Sequence, residues 1–398
     1  MVISMYLVVF SSLFGLRNKS SMYLDYESAE AMMKVILALN DQKETAVVER
    51  LLDESMRFKA YHVSQDRYTS PERSKENQVT LSQFRRFMLS FSGKEIDTQG
   101  NRRLVITKSS YQDAVKNPGK FLKALQVIKS IPSTRSQEAF RRALHWLPNE
   151  VSLKIHAWIL FDIGGSGAWA FRTEDGAKNI GFNILHMLDE SGEFDQDLFL
   201  GILAHEIHHL GLPLSSYFKA IDYEHLSETS RLRWYSDYMQ RFVMEGMAQK
   251  FCNNAPGILS PKPYPEEVFS ATQANLKDWA YFQPQLADIH ARAVLDLRQI
   301  LRGETLDREK FESDYGDYWT WAAGEKEGRE FTLGRQYYYG SELVGAINAA
   351  FGREALFEGL TDLRRILLLY NRSVKMLRPQ DFERYMFPED IIKMTQDL

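Results

Sequence analysis

The chain has 398 residues, of which 44% are hydrophobic, which is enough for a buried core in more than one packed unit. The formal net charge is −4 and lysine and arginine are spread along the chain, so no basic surface for nucleic acid is expected. Cys252 is the only cysteine, which excludes an internal disulfide and requires any metal site to use histidine and carboxylate ligands.

Residues 1–20 have some features of an export signal. Residues 1–16 carry no charge and contain the apolar run Met5–Phe10. A secretory signal carries positive charge before such a run, whereas Arg17 and Lys19 follow it here. A leader and a buried N-terminal strand or helix fit equally well, so export or retention stays open. No other segment has the length and hydrophobicity of a membrane span.

Residues 21–145 predict an N-terminal helical domain. Apolar residues recur at helical spacing after Ser28, which can cap a helix. Similar stretches follow and are interrupted by polar segments and by an Asn-Pro-Gly break. They are Val47–Met56, Leu81–Phe91 and Phe121–Ile128.

Residues 146–255 predict a core that contains a small β-sheet. The sequence VSLKIHAWILF, from Val151, alternates and then runs apolar, which is typical of a partly buried strand. The segments AWAF at 168–171 and NIGFNIL at 179–185 predict a hairpin beside that strand, with a turn between them.

The helix that follows carries the most informative motif of the chain. Asp195 or Asp197 can cap a helix that covers LFLGILAHEIHHL and ends at Gly211. It contains His-Glu-Ile-His-His, the pattern H-E-x-x-H, in which two imidazoles one turn apart can bind one Zn²⁺. His205 and His209 would then be ligands. Glu206 projects about 100° away from the first ligand, toward the position of a general base.

The rest of the chain predicts further helices. A long helix is expected over Ser227–Asn253, and a proline-containing linker follows it. Residues 256–398 predict a C-terminal helical domain that closes the cleft over the metal, with helices at Gln285–Leu301 and Ser341–Ala350. The aromatic stretch Tyr315–Trp321 is expected in a loop.

The third metal ligand separates the classes of zinc peptidase. The extended motif HExxHxxGxxH would place a histidine at position 215, where the chain has Ser215. Met244-Glu245-Gly246-Met247-Ala248 instead resembles the E-G-x-A element of gluzincins, zinc peptidases that take a glutamate from a later helix. The resemblance implies Glu245 as the third ligand. It covers the core and, more weakly, a tyrosine element near the C-terminus.

Two alternatives to Glu245 as the third ligand stay open, and one nearby position departs from the pattern of related enzymes. Glu228 is a rival ligand by its separation from His209, although it lacks the small neighbours that let two helices approach closely. Glu245 could also be a structural glutamate paired with Arg241. Gln249 stands where related enzymes carry an aspartate that orients a ligand histidine.

The resemblance also implies contacts to a substrate. In gluzincins an edge strand before the motif helix pairs with the extended peptide, so Trp169 and Ala170 are candidates for main-chain contacts, with a plain structural strand as the alternative. The run Tyr337-Tyr338-Tyr339-Gly340 resembles a late element of uncharacterised bacterial families of predicted zinc peptidases. By that match Tyr337 is the candidate donor to the oxyanion, although three adjacent tyrosines can also be core aromatics.

Together these patterns predict an α+β, mostly helical fold, with a zincin-like core whose small sheet packs on the H-E-x-x-H helix. The expected function is zinc-dependent hydrolysis of peptide or protein substrates, with Glu206 as general base. Two other interpretations stay open: a non-catalytic partner-binding protein with a structural or vestigial zinc site, and a zinc hydrolase of non-peptide substrates.

Overall fold

The structure, a computed structural model, describes residues 20–71, 75–93, 95–189, 191–215, 218, 223, 225–265, 273–304, 307–320 and 333–398. The chain divides into two compact units. The first reaches Phe140 and also contains Ser152–Leu210, and the second consists of Arg141–Val151 and Gly211–Leu398. The possible leader, apart from residue 20, lies outside the described residues. Among the described helices, none combines the length and hydrophobicity needed to cross a membrane.

A four-stranded sheet lies in the first unit. The strand order is β1-β2-β4-β3, with β1 and β4 parallel to β2 and with β3 antiparallel to β4. The strands are β1 Ser21–Asp25, β2 Lys154–Leu160, β3 Ala168–Arg172 and β4 Lys178–Asn183. The sheet and its β3–β4 hairpin confirm the sequence prediction. The helical pattern of residues 21–145 did not predict β1.

Helices make up most of the remaining described chain before residue 212, as expected for a mostly helical α+β protein. A capping box begins one of them, in which Thr80 Oγ1 accepts from the Gln83 N–H. The helices are α1 Glu27–Asn40, α2 Thr45–Ser55, α3 Lys59–Thr69, α4 Leu81–Ser90, α5 Arg102–Lys116, α6 Pro118–Ser130, α7 Ser133–His145 and α8 Gln196–Gly211. α8 is the helix that carries H-E-x-x-H.

One face of the sheet packs on α8. Ala168 lies opposite Phe182 in the β3–β4 register, and the Phe182 ring packs against Phe199 of α8 with centroids 4.9 Å apart. Cross-strand partners and alternate residues of a strand share a face. β3 therefore presents Ala168, Ala170 and Arg172 to the side of the sheet that faces the motif helix.

The other face of the hairpin is fixed by the carboxylate of Asp162, which is completely buried. Its Oδ1 accepts from Trp169 Nε1 at 3.1 Å. The remaining donors are Ser64 Oγ at 2.8 Å, the Tyr68 hydroxyl at 2.7 Å, and the N–H groups of Ser166 at 3.0 Å and Gly164 at 3.3 Å. This carboxylate ties α3, the β2–β3 turn and β3 together. Gly181 leaves room for the Trp169 indole, because a Cβ there would overlap it.

The helices of the second unit differ from the sequence predictions in two places. The helix expected from Ser227 begins at Arg231, where Ser230 caps it, and continues as a π-helix over Ala248–Cys252. The stretch expected in a loop from Tyr315 is helical as far as Trp319, because these two residues lie four apart and are both buried on one face.

The predicted helices Gln285–Leu301 and Ser341–Ala350 are confirmed within longer helices. The helices of this unit that begin after residue 230 are α9 Arg231–Met247, α10 Gln273–Phe282, α11 Leu286–Arg302, α12 Arg308–Trp319, α13 Arg335–Leu360, α14 Ile366–Leu377 and α15 Glu389–Gln396. α13 is kinked at Gly352, whose φ is +81°.

Candidate metal centre

The two histidines of the motif converge on one point. Asp195 caps α8, because its Oδ1 accepts from the Leu198 N–H at 2.8 Å. One turn of helix separates His205 from His209, and their Nε2 atoms lie 2.7 Å apart. Their rings are nearly perpendicular, with an interplanar angle of 81°. His205 is buried and His209 is half-buried.

Glu206 lies between the two histidines and turns to another side of the helix. Its side chain is half-buried. No hydrogen bond or ion pair joins its carboxylate to any described residue. A carboxylate in this setting can take up and release a proton without first breaking an internal bond, which suits a general base.

Glu245 is half-buried near the end of α9. Its negative charge is one of the influences that raise the pKa of the Tyr315 hydroxyl, after burial of that hydroxyl as the main cause. The alternative pairing with Arg241 is not the arrangement observed. The two terminal nitrogens of Arg241 instead donate to Glu312 at 2.6 and 2.9 Å, a bidentate ion pair.

The glycine next to Glu245 permits a close helix contact, as its sequence context indicates. A Cβ at Gly246 would overlap the backbone of Gly340 in α13, and a Cβ at Gly340 would overlap the Phe242 carbonyl. Only glycines allow the two helix backbones to touch in this way. The carboxylate of Glu245 is therefore carried on a helix whose position is set by backbone contact.

Among the described residues, one group of metal-binding side chains is close enough to hold an ion. The ligand atoms of His205, His209 and Glu245 all lie within 4.8 Å of one another. Two imidazoles and one carboxylate are the donors of catalytic zinc sites that keep a coordination position open. The rival Glu228 is exposed in the turn before α9 and is not part of this group.

Gln249, one turn after Glu245, has an unused hydrogen-bond acceptor. Gln249 is buried, and its Oε1 accepts no hydrogen bond from any described residue. A buried amide oxygen without a donor is costly, so this oxygen can still accept an N–H group. The three side chains of the metal-binding group, two imidazoles and one carboxylate, fit a zinc ion.

The three adjacent tyrosines have different surroundings. Tyr338 is buried and donates to Glu342 Oε1 at 2.9 Å. The Tyr339 hydroxyl is buried too and lies 2.9 Å from His290 Nδ1. Tyr337, in the first turn of α13, is half-buried. Two of the three hydroxyls are thus occupied in the interior of the second unit.

The geometry of β3 separates the two candidate substrate residues. Asn183 N–H donates to Gly167 O, and Thr173 N–H donates to Ala177 O. Because hydrogen-bonded and non-bonded pairs alternate in an antiparallel ladder, the main-chain groups of Trp169 face β4. Those of Ala170 point away from β4. The Trp169 side chain is also buried against Asp162, so it supports the strand from within.

Two residues at this site have no signal in the sequence. Asp162 follows β2 with no motif around it, and its five donors are brought together only by the tertiary fold. Arg172 ends β3, and its Nη2 donates to the carbonyl of Leu210 at 2.8 Å. The strand pattern AWAF stops one residue before it, so only the alternation of β3 could have placed Arg172 on the same face as Ala170.

Comparison with known proteins gives one match. Residues 52–378 match the sequence profile of a protein family described as "Putative zinc dependent peptidase (DUF5700)". No curated protein and no solved structure matches the chain.

Proposed function

Because the chain belongs to the DUF5700 family, described as "Putative zinc dependent peptidase", we propose that it is a gluzincin-type peptidase with a zincin-like core. His205, His209 and Glu245 hold the zinc ion in this proposal. The observation that carries it is the approach of their ligand atoms to within 4.8 Å of one another. The spacing of the two histidines on one helix and the Glu245-Gly246 element on another agree with it.

Zinc, when bound at such a site, supplies a Lewis acid that polarises the scissile carbonyl and makes water easier to deprotonate. The protein's own residues perform the proton transfers. Glu206 takes a proton from the attacking water and returns it to the nitrogen of the leaving amine. Its carboxylate forms no hydrogen bond or ion pair with a described residue, which supports this role.

The substrate is an extended peptide that pairs with β3. In the described part of the chain, β3 pairs with β4 on one side only. The main-chain groups of Ala168 and Ala170 point to the other side and can bond a peptide backbone, as in other cases of strand addition. Their small side chains share the face that packs on α8. Trp169 keeps the strand in place.

Tyr337 is the proposed donor to the oxyanion that forms at the scissile carbonyl. The match of Tyr337 and Gly340 to the Tyr-x-x-Gly element supports this choice, and the hydroxyls of Tyr338 and Tyr339 contact Glu342 and His290 inside the second unit.

The decisive experiment replaces carboxylates by amides of the same shape. We expect Glu206→Gln to retain zinc and to lose peptide turnover by at least about a hundredfold, the usual contribution of a general base. Glu245→Gln should lose most of its zinc. Glu228→Gln is the matched control and should retain both zinc and activity.

Zinc content by elemental analysis and digestion of a mixed peptide library, read by mass spectrometry, provide the two measurements. Turnover near that of the wild type in Glu206→Gln would remove this residue from the mechanism. A wild-type protein that holds zinc and cleaves no peptide would favour a structural site or a non-peptide substrate.

A further inference from the structure

Arg172 is a half-buried cation that no carboxylate of the described residues contacts. Within the described part of the chain, its one hydrogen bond joins Nη2 to the carbonyl of Leu210 at 2.8 Å. Burial lowers the pKa of Arg172, with no acidic neighbour to oppose the effect. Arg241, also partly buried, is held by Glu312. Arg172 thus differs from Arg241 in that no carboxylate of the described residues pairs with it.

A structural role explains only part of this arrangement. A cation near the C-terminal end of a helix interacts favourably with the helix dipole, and the contact with Leu210 fits that role. A guanidinium has five N–H donors in a planar fork, however, and this contact uses one of them. The unused donors are suited to a carboxylate, which such a fork binds through two parallel bonds.

Arg172 contacts the same helix that carries the two histidines of the candidate metal centre. Leu210 directly follows His209 in α8, so Arg172 contacts the helix one residue beyond a proposed ligand. Arg172 also shares a face with Ala168 and Ala170, whose main-chain groups point to the open edge of β3. A peptide bound along β3 therefore passes the guanidinium.

We propose that Arg172 is a specificity-determining residue that binds a carboxylate of the peptide substrate close to the cleaved bond. This inference rests on the proposed peptidase function and deepens it, because it assigns a preference for acidic peptides. The carboxylate is either the side chain of an aspartate or glutamate or the C-terminal carboxylate of the peptide. The shared chemistry is an anionic group held by charge-assisted hydrogen bonds.

The test compares matched peptides with the zinc-loaded full-length protein. One series carries glutamate or glutamine at each position around the cleaved bond, and the other carries a free or an amidated C-terminus. We expect kcat/KM to favour one carboxylate series by at least about tenfold, which corresponds to about 1.4 kcal/mol. The series that shows the preference identifies the source of the carboxylate.

The variant Arg172→Gln should lower the ratio of kcat/KM between acidic and neutral peptides to about one, and this ratio is the readout because loss of the contact with Leu210 would change the turnover of both peptides alike. Lys178→Gln is the matched control. Lys178 lies directly across the hairpin from Arg172, on β4 and not on the edge strand, and its substitution by glutamine removes the same positive charge. Its preference should equal that of the wild type. Arg172→Glu, a second variant, should reverse the preference toward peptides with lysine at the same position.

The possible failures are distinguishable. If the wild type cleaves no peptide, the proposed function is wrong and the inference about Arg172 is wrong with it. If the wild type cleaves acidic and neutral peptides equally, or if Arg172→Gln keeps the wild-type ratio, the peptidase proposal stands and Arg172 has only its structural contact with Leu210.

Discussion

Replacing Asp162 by asparagine tests how β3 is held in place. The substitution keeps the shape of the side chain and replaces one acceptor oxygen by an NH₂ donor. Oδ2 accepts from Tyr68 and from the N–H groups of Gly164 and Ser166, whereas Oδ1 accepts from Ser64 and Trp169. The amide oxygen is therefore expected to take the Oδ2 position, where three donors meet.

The NH₂ group then faces two donors. The Ser64 hydroxyl can rotate and accept, but the indole N–H of Trp169 can only donate. One buried donor loses its partner, at a cost of about 1–3 kcal/mol. We expect the free energy of unfolding of Asp162→Asn to fall by about 2 kcal/mol, measured by urea denaturation followed by circular dichroism at a fixed zinc concentration.

A double-mutant cycle with Trp169→Phe isolates the contact, because phenylalanine has no N–H group. Asp162→Asn should cost about 1–2 kcal/mol less in the Trp169→Phe background than in the wild type. The urea dependence of the unfolding free energy must stay constant for this comparison to hold. Additive effects, or a loss below about 0.5 kcal/mol in the single variant, would refute the reasoning.

Two further predictions concern the second unit. Tyr337→Phe should lower kcat by about 10²–10³ with little change in KM, because this is the usual loss on removal of an oxyanion donor. The control variant Tyr338→Phe should keep the kcat of the wild type. An unchanged kcat in Tyr337→Phe would contradict the assignment. Burial lowers the pKa of His290 to about 4, so the unfolded chain binds a proton that the folded protein does not as pH falls through 6.5 toward 4. Over this pH range the free energy of unfolding should decrease by up to about 3 kcal/mol more in the wild type than in His290→Gln. Both proteins are measured by denaturant titration with zinc in excess. Parallel pH profiles of the two proteins would disprove this contribution of His290.

The sequence predicted the elements that carry strong local patterns. The alternation after Val151, the hairpin signal and the capped apolar helix around His205 each depend on neighbours in the chain, and each is present. The small residue Gly246 likewise indicated a close helix contact, and the structure has one with Gly340.

Features that depend on distant partners were not predictable from one sequence. β1 is a short segment whose strand conformation depends on pairing with β2. The aromatic residues from Tyr315 to Trp319 suggested a loop by composition, whereas burial of one side of the segment made it a helix. The bonding of Asp162 and the contact of Arg172 with Leu210 follow from tertiary packing, which no local pattern encodes.

The pairing of β1 with β2 constrains how the chain can fold during its synthesis. Leu153 N–H donates to Ser20 Oγ across a separation of 133 residues, so the first strand leaves the ribosome long before its partner exists. At about 5–20 residues per second the wait lasts on the order of ten seconds. During that time α1 and α2 can form from local contacts while β1 stays unpaired. The sheet, and with it the edge strand beside the motif helix, is therefore expected to assemble late.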